Sequence, residues 1–355
     1  MHAITRRQFL QTAATAVCAQ LPATQLGFAR SPPGNGAPQL CTRGVVLVPD
    51  DLTLTDWSRR AAAAGLTTIA LHASAAPRKV VVPFVRSAAG QQFLATCAGL
   101  GLQVEYELHA LRELLPRERF AQEPALFRMN EQHVRTADAN LCVHSARALE
   151  IVAENAVQLA RDLPPTTGRY FYWTDDAEPG CRCPDCSALS DSDQALIVEN
   201  HIIAALRKVD ARARLAHLAY QRTMPAPTQI KPVPGVFLEF APIERRYDIA
   251  LGADDPAQRR VLDLLDANLR VFGAEHAQAL EYWLDCSRFS HYQKPAVKVP
   301  FDQVAFAADV ATYAARGIRH LTSFAVFIDR DYVGRHGEPP LDLYGKVLNS
   351  WREAR

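Results

Sequence analysis

The feature that most restricts the fold is an alternation. Short apolar runs rich in β-branched and aromatic residues recur at 45–49, 67–71, 103–108, 169–173, 214–220, 236–240, 278–283 and 320–327. Between nearly all of them the apolar residues switch to a helical spacing, at 55–64, 83–99, 145–162, 193–209, 256–272 and 301–315, with a last helix over 341–353. A helix between two strands carries the chain back to the strand's starting end, so successive strands run parallel. Eight such strands predict a closed (β/α)8 barrel of the TIM type, with an open doubly wound sheet as the alternative. No Gly-x-Gly-x-x-Gly follows the first strand, which argues against a dinucleotide site.

The chain opens MHAITRRQFLQTAATAVCAQLPATQLGFAR. Arg6 and Arg7 precede Phe9 and Leu10, then a short Ala/Thr-rich run and Gly27-Phe28-Ala29. A basic start, a weakly apolar stretch too short to span a bilayer and a small-residue end predict an export signal over 1–29, of the twin-arginine type. The Gly/Pro-rich stretch after it predicts a linker over 30–42, and 43–355 a single periplasmic domain. Thr15-Ala16-Val17 ahead of Cys18 makes a poor lipid-attachment box. The formal net charge of the 355 residues is +1, without a basic cluster, which argues against a nucleic-acid partner. No run is long enough to predict a membrane span.

In a parallel barrel, chemistry is carried where the strands end in the loops that follow them. The third run, QVEYELHAL, alternates Glu105, Glu107 and His109 onto one side, facing the barrel interior or its mouth. The fourth ends in Trp173-Thr174-Asp175-Asp176, the fifth in Tyr220, the sixth carries Glu239 with Arg245-Arg246 beyond, and the seventh carries Glu281, Tyr282 and Asp285. Carboxylates interleaved with aromatic rings suit carbohydrate chemistry. Rings stack on the apolar faces of sugars, and paired acids serve an oxocarbenium-like transition state. Asp176, beside the like charges of Asp175 and Glu178, is the expected proton donor. Arg246 is a candidate clamp for a uronic acid carboxylate, the alternative being a surface ion pair with Glu244 or Asp248. The segment SRFSHYQKP after the seventh strand is long and aromatic enough to form a lid over a substrate.

The segments VEYELHALRELLPRERF, NLCVHSARALE, YFYWTDDAEPGCRCPDCSALSDSDQ, LAYQRT and VFLEFAPIERRY resemble, in that order, a bacterial family known as domain of unknown function 4838. The resemblance is good over 103–247 and looser elsewhere, and its most specific part is the aspartate ahead of Cys-x-Cys-x2-Cys. It implies a glycoside-hydrolase-like barrel, distantly similar to those of α-glucuronidases and β-hexosaminidases, acting on a glycan. By that analogy Glu239 and Glu281 complete the catalytic set with Asp176. Glu107, His109 and Tyr220 contact the sugar or orient the acid, with Trp173, Asp175, Tyr282 and Asp285 also lining the substrate site. The alternatives are a non-catalytic carbohydrate-binding protein on the same scaffold, or a metal-dependent lyase or hydrolase.

Cys181, Cys183 and Cys186 are one short of a four-cysteine zinc site. Cys142, His144 or Asp185 is a candidate fourth ligand, and a disulfide with one free thiol is the competing arrangement. In either case the cysteines are expected to brace the loop that carries Asp176, and no cofactor is required for the chemistry.

Overall fold

The computed structural model describes residues 39–74 and 76–351. The expected export signal and most of the expected linker lie outside the described residues. The strands are β1 (Thr42–Leu47), β2 (Thr68–Ala73), β3 (Gln103–His109), β4 (Arg169–Trp173), β5 (Arg214–Ala219), β6 (Val236–Phe240), β7 (Gln278–Glu281) and β8 (His320–Phe324). Each pairs in parallel with the next, and β8 pairs with β1, closing the expected eight-stranded barrel.

Helices follow most strands: α1 (Trp57–Ala63), α2 (Pro77–Arg86), α3 (Ala88–Gly99), α4 (Leu111–Leu114), α5 (Ala146–Asp162), α6 (Asp191–Leu206), α7 (Pro256–Phe272), α8 (Cys286–Phe289), α9 (Gln303–Ala315), α10 (Arg330–His336) and α11 (Leu341–Ser350). Their starts are set locally. Ser145 accepts from the Ala148 amide, Ser190 from that of Asp193, and Asp255 from those of Ala257 and Gln258 with Pro256 in the first turn. The single helix expected over 83–99 is two. Ser87 turns extended, caps α3 through the Gly90 amide, and leaves Pro83 inside α2. Between β5 and β6 the described backbone makes only a 3-10 turn, at Gln221–Thr223.

Closure fixes which side chains point inward. One buried apolar cluster, including Val46, Ala70, Phe171, Trp173, Leu218, Phe237 and Phe324, fills the barrel. The alternating residues, such as Val45, Leu47, Ile69, Leu71, Leu215 and Leu238, pack against the helices instead.

The interior is not all apolar. Glu105, Glu107, Arg169, Glu239 and Gln278 are buried with it. Gln278 Nε2 donates to Glu107 Oε1 at 3.2 Å and to Glu239 Oε1 at 2.8 Å, tying β3, β6 and β7 across the barrel. The Arg169 guanidinium lies 4.6 Å from the Phe237 ring centre and 3.7 Å from Glu105. Burial pushes the Glu107 carboxyl well above the ordinary carboxylate range, reinforced by Glu239 and Glu105. It also raises Glu239, to about 8.

The sign follows from proton counting. A folded carboxyl that holds its proton above the pH where the unfolded one releases it makes the folded state the better proton binder. Its contribution to stability is therefore full at low pH and declines as pH rises from the unfolded value towards the folded one. Glu107→Gln, which removes the titration, should gain stability relative to the wild type between pH 5 and pH 8. Denaturant unfolding at both pH values checks this, and a difference that does not change with pH would mean that Glu107 is not held neutral in the fold.

Candidate active site at the barrel mouth

At the end of the barrel where the strands finish, a cavity of about 300 Å³ opens among loops following β1, β2, β4, β5, β6, β7 and β8. Its wall is built by inward parity. His72, His109, Trp173 and Phe324 are the last inward-facing residues of their strands, and Tyr220 and Tyr282 follow β5 and β7 directly. Their rings pack around the opening, some edge to face and others tilted. His109 lies 5.0 Å from Trp173 and 6.2 Å from Tyr220, His72 lies 5.7 Å from Trp173 and 5.1 Å from Phe324, and Tyr282 lies 5.2 Å from Phe324.

The two imidazoles are held the same way. His72 Nδ1 is 2.8 Å from the Glu107 carbonyl and His109 Nδ1 is 2.7 Å from the Thr174 carbonyl. A carbonyl only accepts, so each Nδ1 carries the hydrogen and each neutral ring keeps Nε2 as an acceptor. Burial keeps both rings neutral. His72 is driven down to about 3 by desolvation with help from His109, and His109 is lowered by desolvation against the opposing pull of Asp176. His109 Nε2 faces Asp176 Oδ1 at 3.6 Å.

Two carboxylates line the cavity, Asp176 beyond β4 and Asp285 beyond β7. The Asp176 side chain is 43 % exposed. Asp285 is buried, and that burial raises its carboxyl. Its Oδ1 caps α8, accepting from the Ser287 amide at 3.0 Å, the Ser287 hydroxyl at 2.6 Å and the Arg288 amide at 3.3 Å. Backbone strain gathers at the same mouth. Of the eight non-glycine residues with left-handed φ among those described, five stand at or beside a cavity residue: Ala177, Gln221, His291, Tyr292 and Phe327. Such conformations cost energy and persist where surrounding contacts or a site require them. His291 and Tyr292 belong to the segment expected to form a lid, and Tyr292 contributes to the wall while 64 % exposed.

Other expected site residues lie elsewhere. Glu239 points into the barrel beneath Trp173, whose Nε1 donates to its Oε2 at 2.8 Å, and it is fully buried. Glu107 lies in the same layer, below the cavity. Glu281 faces the opposite way. Gln278 and Leu280 occupy the inward positions of β7, so Glu281 projects towards the helices. There it accepts from Arg245 Nε at 3.0 Å, Tyr247 at 2.9 Å and Tyr313 of α9 at 2.5 Å. The expected convergence of Asp176, Glu239 and Glu281 on one cavity is therefore corrected: of the three, only Asp176 reaches it. Arg246 pairs on the surface with Asp248 at 2.6 Å and Asp255 at 3.3 Å and does not line the cavity. Asp175 is buried against Arg117, and its Oδ2 also accepts from the Asn140 amide at 2.7 Å, so it anchors the loop beneath Asp176. His72, Phe324 and Asn140 were not among the expected site residues. For His72 the signal was its inward parity at the end of β2.

The loop beyond β4 is further braced by sulfur. Cys142, between β3 and α5, meets Cys181, Cys183 and Cys186, between β4 and α6, with all four sulfurs buried and within 4.8 Å of one another. The fourth member is thus Cys142. His144 Nδ1 lies 3.2 Å from Cys186 Sγ, and the Met129 amide and Arg135 Nη1 approach Cys181 Sγ at 3.3 and 3.7 Å. This group could hold a metal, and it lies outside the cavity lining.

Among solved structures the fold is similar to a chitinase from Rhizomucor miehei (10% identity, 86% of this chain and 99% of that one, TM-score 0.50). It is also similar to a chitinase from Chromobacterium violaceum (12%, 87% and 99%, 0.45) and to the catalytic domain of a beta-amylase from Paenibacillus polymyxa (11%, 88% and 98%, 0.44). At such identities the likeness is one of fold. A comparison with curated proteins finds no match. The sequence does match a family model over residues 79–315, which contains the whole of the stretch with the good resemblance, and the chain belongs to the family described as Domain of unknown function (DUF4838).

Proposed function

We propose that the barrel mouth hydrolyses a glycosidic bond, with Asp176 as the proton donor and Asp285 as the second carboxylate. The observation that carries this reading is the placement of these two acids on one aromatic-walled cavity. Aromatic rings can stack on the apolar face of a pyranose, and a pair of acids suits its departure as an oxocarbenium-like species. Asp176 gives its proton to the leaving oxygen, the C1–O bond breaks, and water supplies the hydroxyl at C1 while its proton passes to the Asp285 carboxylate. Tyr220, whose hydroxyl lies beside Asp176, positions the donor next to the neutral His109 ring. Glu239 has a different part, holding the Trp173 indole in place from below.

Asp176→Asn should lower kcat by roughly 10²–10⁴-fold with the fold retained, since general acid catalysis contributes about that much. Turnover of aryl glycosides, with the anomer of the product followed by NMR, checks it, and full activity in the variant would remove Asp176 from the role. The second reading, a non-catalytic carbohydrate-binding protein, is favoured by the full use of Asp285 Oδ1 in capping α8. It predicts sugar binding without turnover in the wild type.

We further propose that the four cysteines hold a structural zinc ion. A tetrahedron of sulfurs about 2.3 Å from zinc has edges of about 3.8 Å, and Cys142 Sγ lies 3.8 Å from both Cys183 Sγ and Cys186 Sγ. The N–H groups around Cys181 are the donors that stabilise a metal-bound thiolate. The purified protein should contain one zinc per chain by elemental analysis. Cys183→Ser should cost about 3 kcal/mol, a fall in Tm of roughly 5–10 °C, because it opens the brace between two loops. An unchanged melting point and no bound zinc would refute the assignment.

The N-terminal segment is proposed to direct export through a twin-arginine route, which carries folded and metal-loaded protein. Replacing Arg6 and Arg7 by lysine should retain the full-length chain in the cytoplasm on cell fractionation, and unchanged export would exclude that route.

A further inference from the structure

The hydrogen-bonding character of the cavity narrows its ligand. The polar atoms it presents are mainly acceptors. Asp176 and Asp285 contribute carboxylate oxygens, and His72 and His109, with their Nδ1 hydrogens spent on the Glu107 and Thr174 carbonyls, contribute Nε2 lone pairs. Much of the donor capacity in the wall is already committed. The Trp173 indole N–H goes to Glu239 and the Ser287 hydroxyl to Asp285. The hydroxyls of Ser74, Tyr220, Tyr282 and Tyr292 remain, that of Tyr220 beside Asp176, and these accept as well as donate.

Charge points the same way. No lysine or arginine is among the cavity-lining residues described. The cations around the rim direct their hydrogen bonds at other partners, with the charge of Arg288 still felt by Asp285 and Tyr292. Arg117 pairs with Asp175, Arg246 with Asp248, and Lys294 with Asp329, while Arg222 Nε donates to the Ala177 carbonyl at 2.9 Å and Arg288 Nη2 to that of Ile243 at 3.0 Å. Two carboxylates, two neutral imidazoles and several ring faces surround a space with no basic side chain of its own. Carboxylates and aromatic faces attract a cation. A uronate would meet acceptors and negative charge. The volume of about 300 Å³ is at the small end for a ligand pocket and suits a single sugar unit.

We infer that the sugar unit seated in this cavity carries a free, protonated amine: an amino sugar rather than its neutral, N-acetylated or uronic acid counterpart. This rests on the carbohydrate reading above and names the class of substrate for that site. The ammonium supplies three donors and one positive charge where the wall supplies acceptors, carboxylates and π faces. Acetylation removes the charge and two of the donors.

Calorimetric titration of the full-length protein at pH 7 tests it. The probes are glucosamine, galactosamine and mannosamine, each against its parent hexose, its N-acetyl derivative and the corresponding uronic acid. In at least one series the amine should bind about 10-fold or more tighter than the neutral and acetylated forms, with no measurable binding of the uronic acid. In Asp176→Asn, whose side chain is largely at the cavity surface, that preference should shrink to within about 3-fold. Equal or tighter binding of a neutral, acetylated or uronic sugar overturns the amine assignment and leaves the carbohydrate reading standing. Binding of none of these sugars overturns both. An amine preference that survives in both Asp176→Asn and Asp285→Asn overturns its assignment to this cavity.

Discussion

The position of every group at the barrel mouth depends on the alternation of side chains along strands that cannot shift register. In a closed parallel sheet, a slip of one residue in one strand would send its whole inward set out to the helices. The network inside makes that slip expensive. Gln278 of β7 holds Glu107 of β3 and Glu239 of β6, and Glu239 holds the Trp173 indole of β4. Four strands are thereby pinned by one chain of buried hydrogen bonds. Above it His72, His109, Trp173 and Phe324 inherit their places from the same parity.

A second layer of control lies in the long connections after β3 and β4. Asp175 is clamped by Arg117 and by the Asn140 backbone, while the Asn140 side chain donates to the Glu178 and Pro179 carbonyls at 3.1 and 2.9 Å. Cys142 from the first connection meets three cysteines of the second. Gln194 of α6 then grips the cysteine segment, accepting from the Cys181 amide at 2.8 Å and donating to its carbonyl at 3.0 Å. Asp176 is therefore the free end of a loop fixed on both sides, which explains how a half-exposed residue keeps one orientation relative to His109.

What could be read from the sequence follows the range of the interactions involved. The eight strands and the inward set Glu105, Glu107 and His109 were legible, because period-2 alternation is local. The outward turn of Glu281 was not. It depends on which residue of β7 enters the barrel, and that is decided by the partners of Gln278 on distant strands. Arg246 was open between a carboxylate clamp and a surface pair with Glu244 or Asp248; the fold selects the pair with Asp248 and adds Asp255, which lies too far along the chain to be named from sequence. Cys142 stood beside His144 and Asp185 as a candidate fourth ligand, and nothing local separates a cysteine from a histidine two residues later or from an aspartate within the cysteine run. His72 stands at the end of its strand with the parity that identified His109, but had no neighbouring acid to assign it a role.

The contrast between Glu239 and Asp176 shows why a carboxylate at a strand end is an incomplete signal for catalysis. Glu239 is fully buried, its two oxygens accept from Trp173 and Gln278, and desolvation favours its neutral form. A group so enclosed can exchange a proton with the cavity only by breaking the contacts that set the barrel's register. Asp176 has none of these obligations. Its carboxylate lies beside the His109 ring and the Tyr220 hydroxyl and is partly open to solvent, and the structural work of its loop is done by Asp175 beside it. Two adjacent aspartates thus divide the work, one buried and paired to hold the loop, the other left free at the cavity. That division leaves the Asp176 side chain open to the cavity while its neighbour carries the fold.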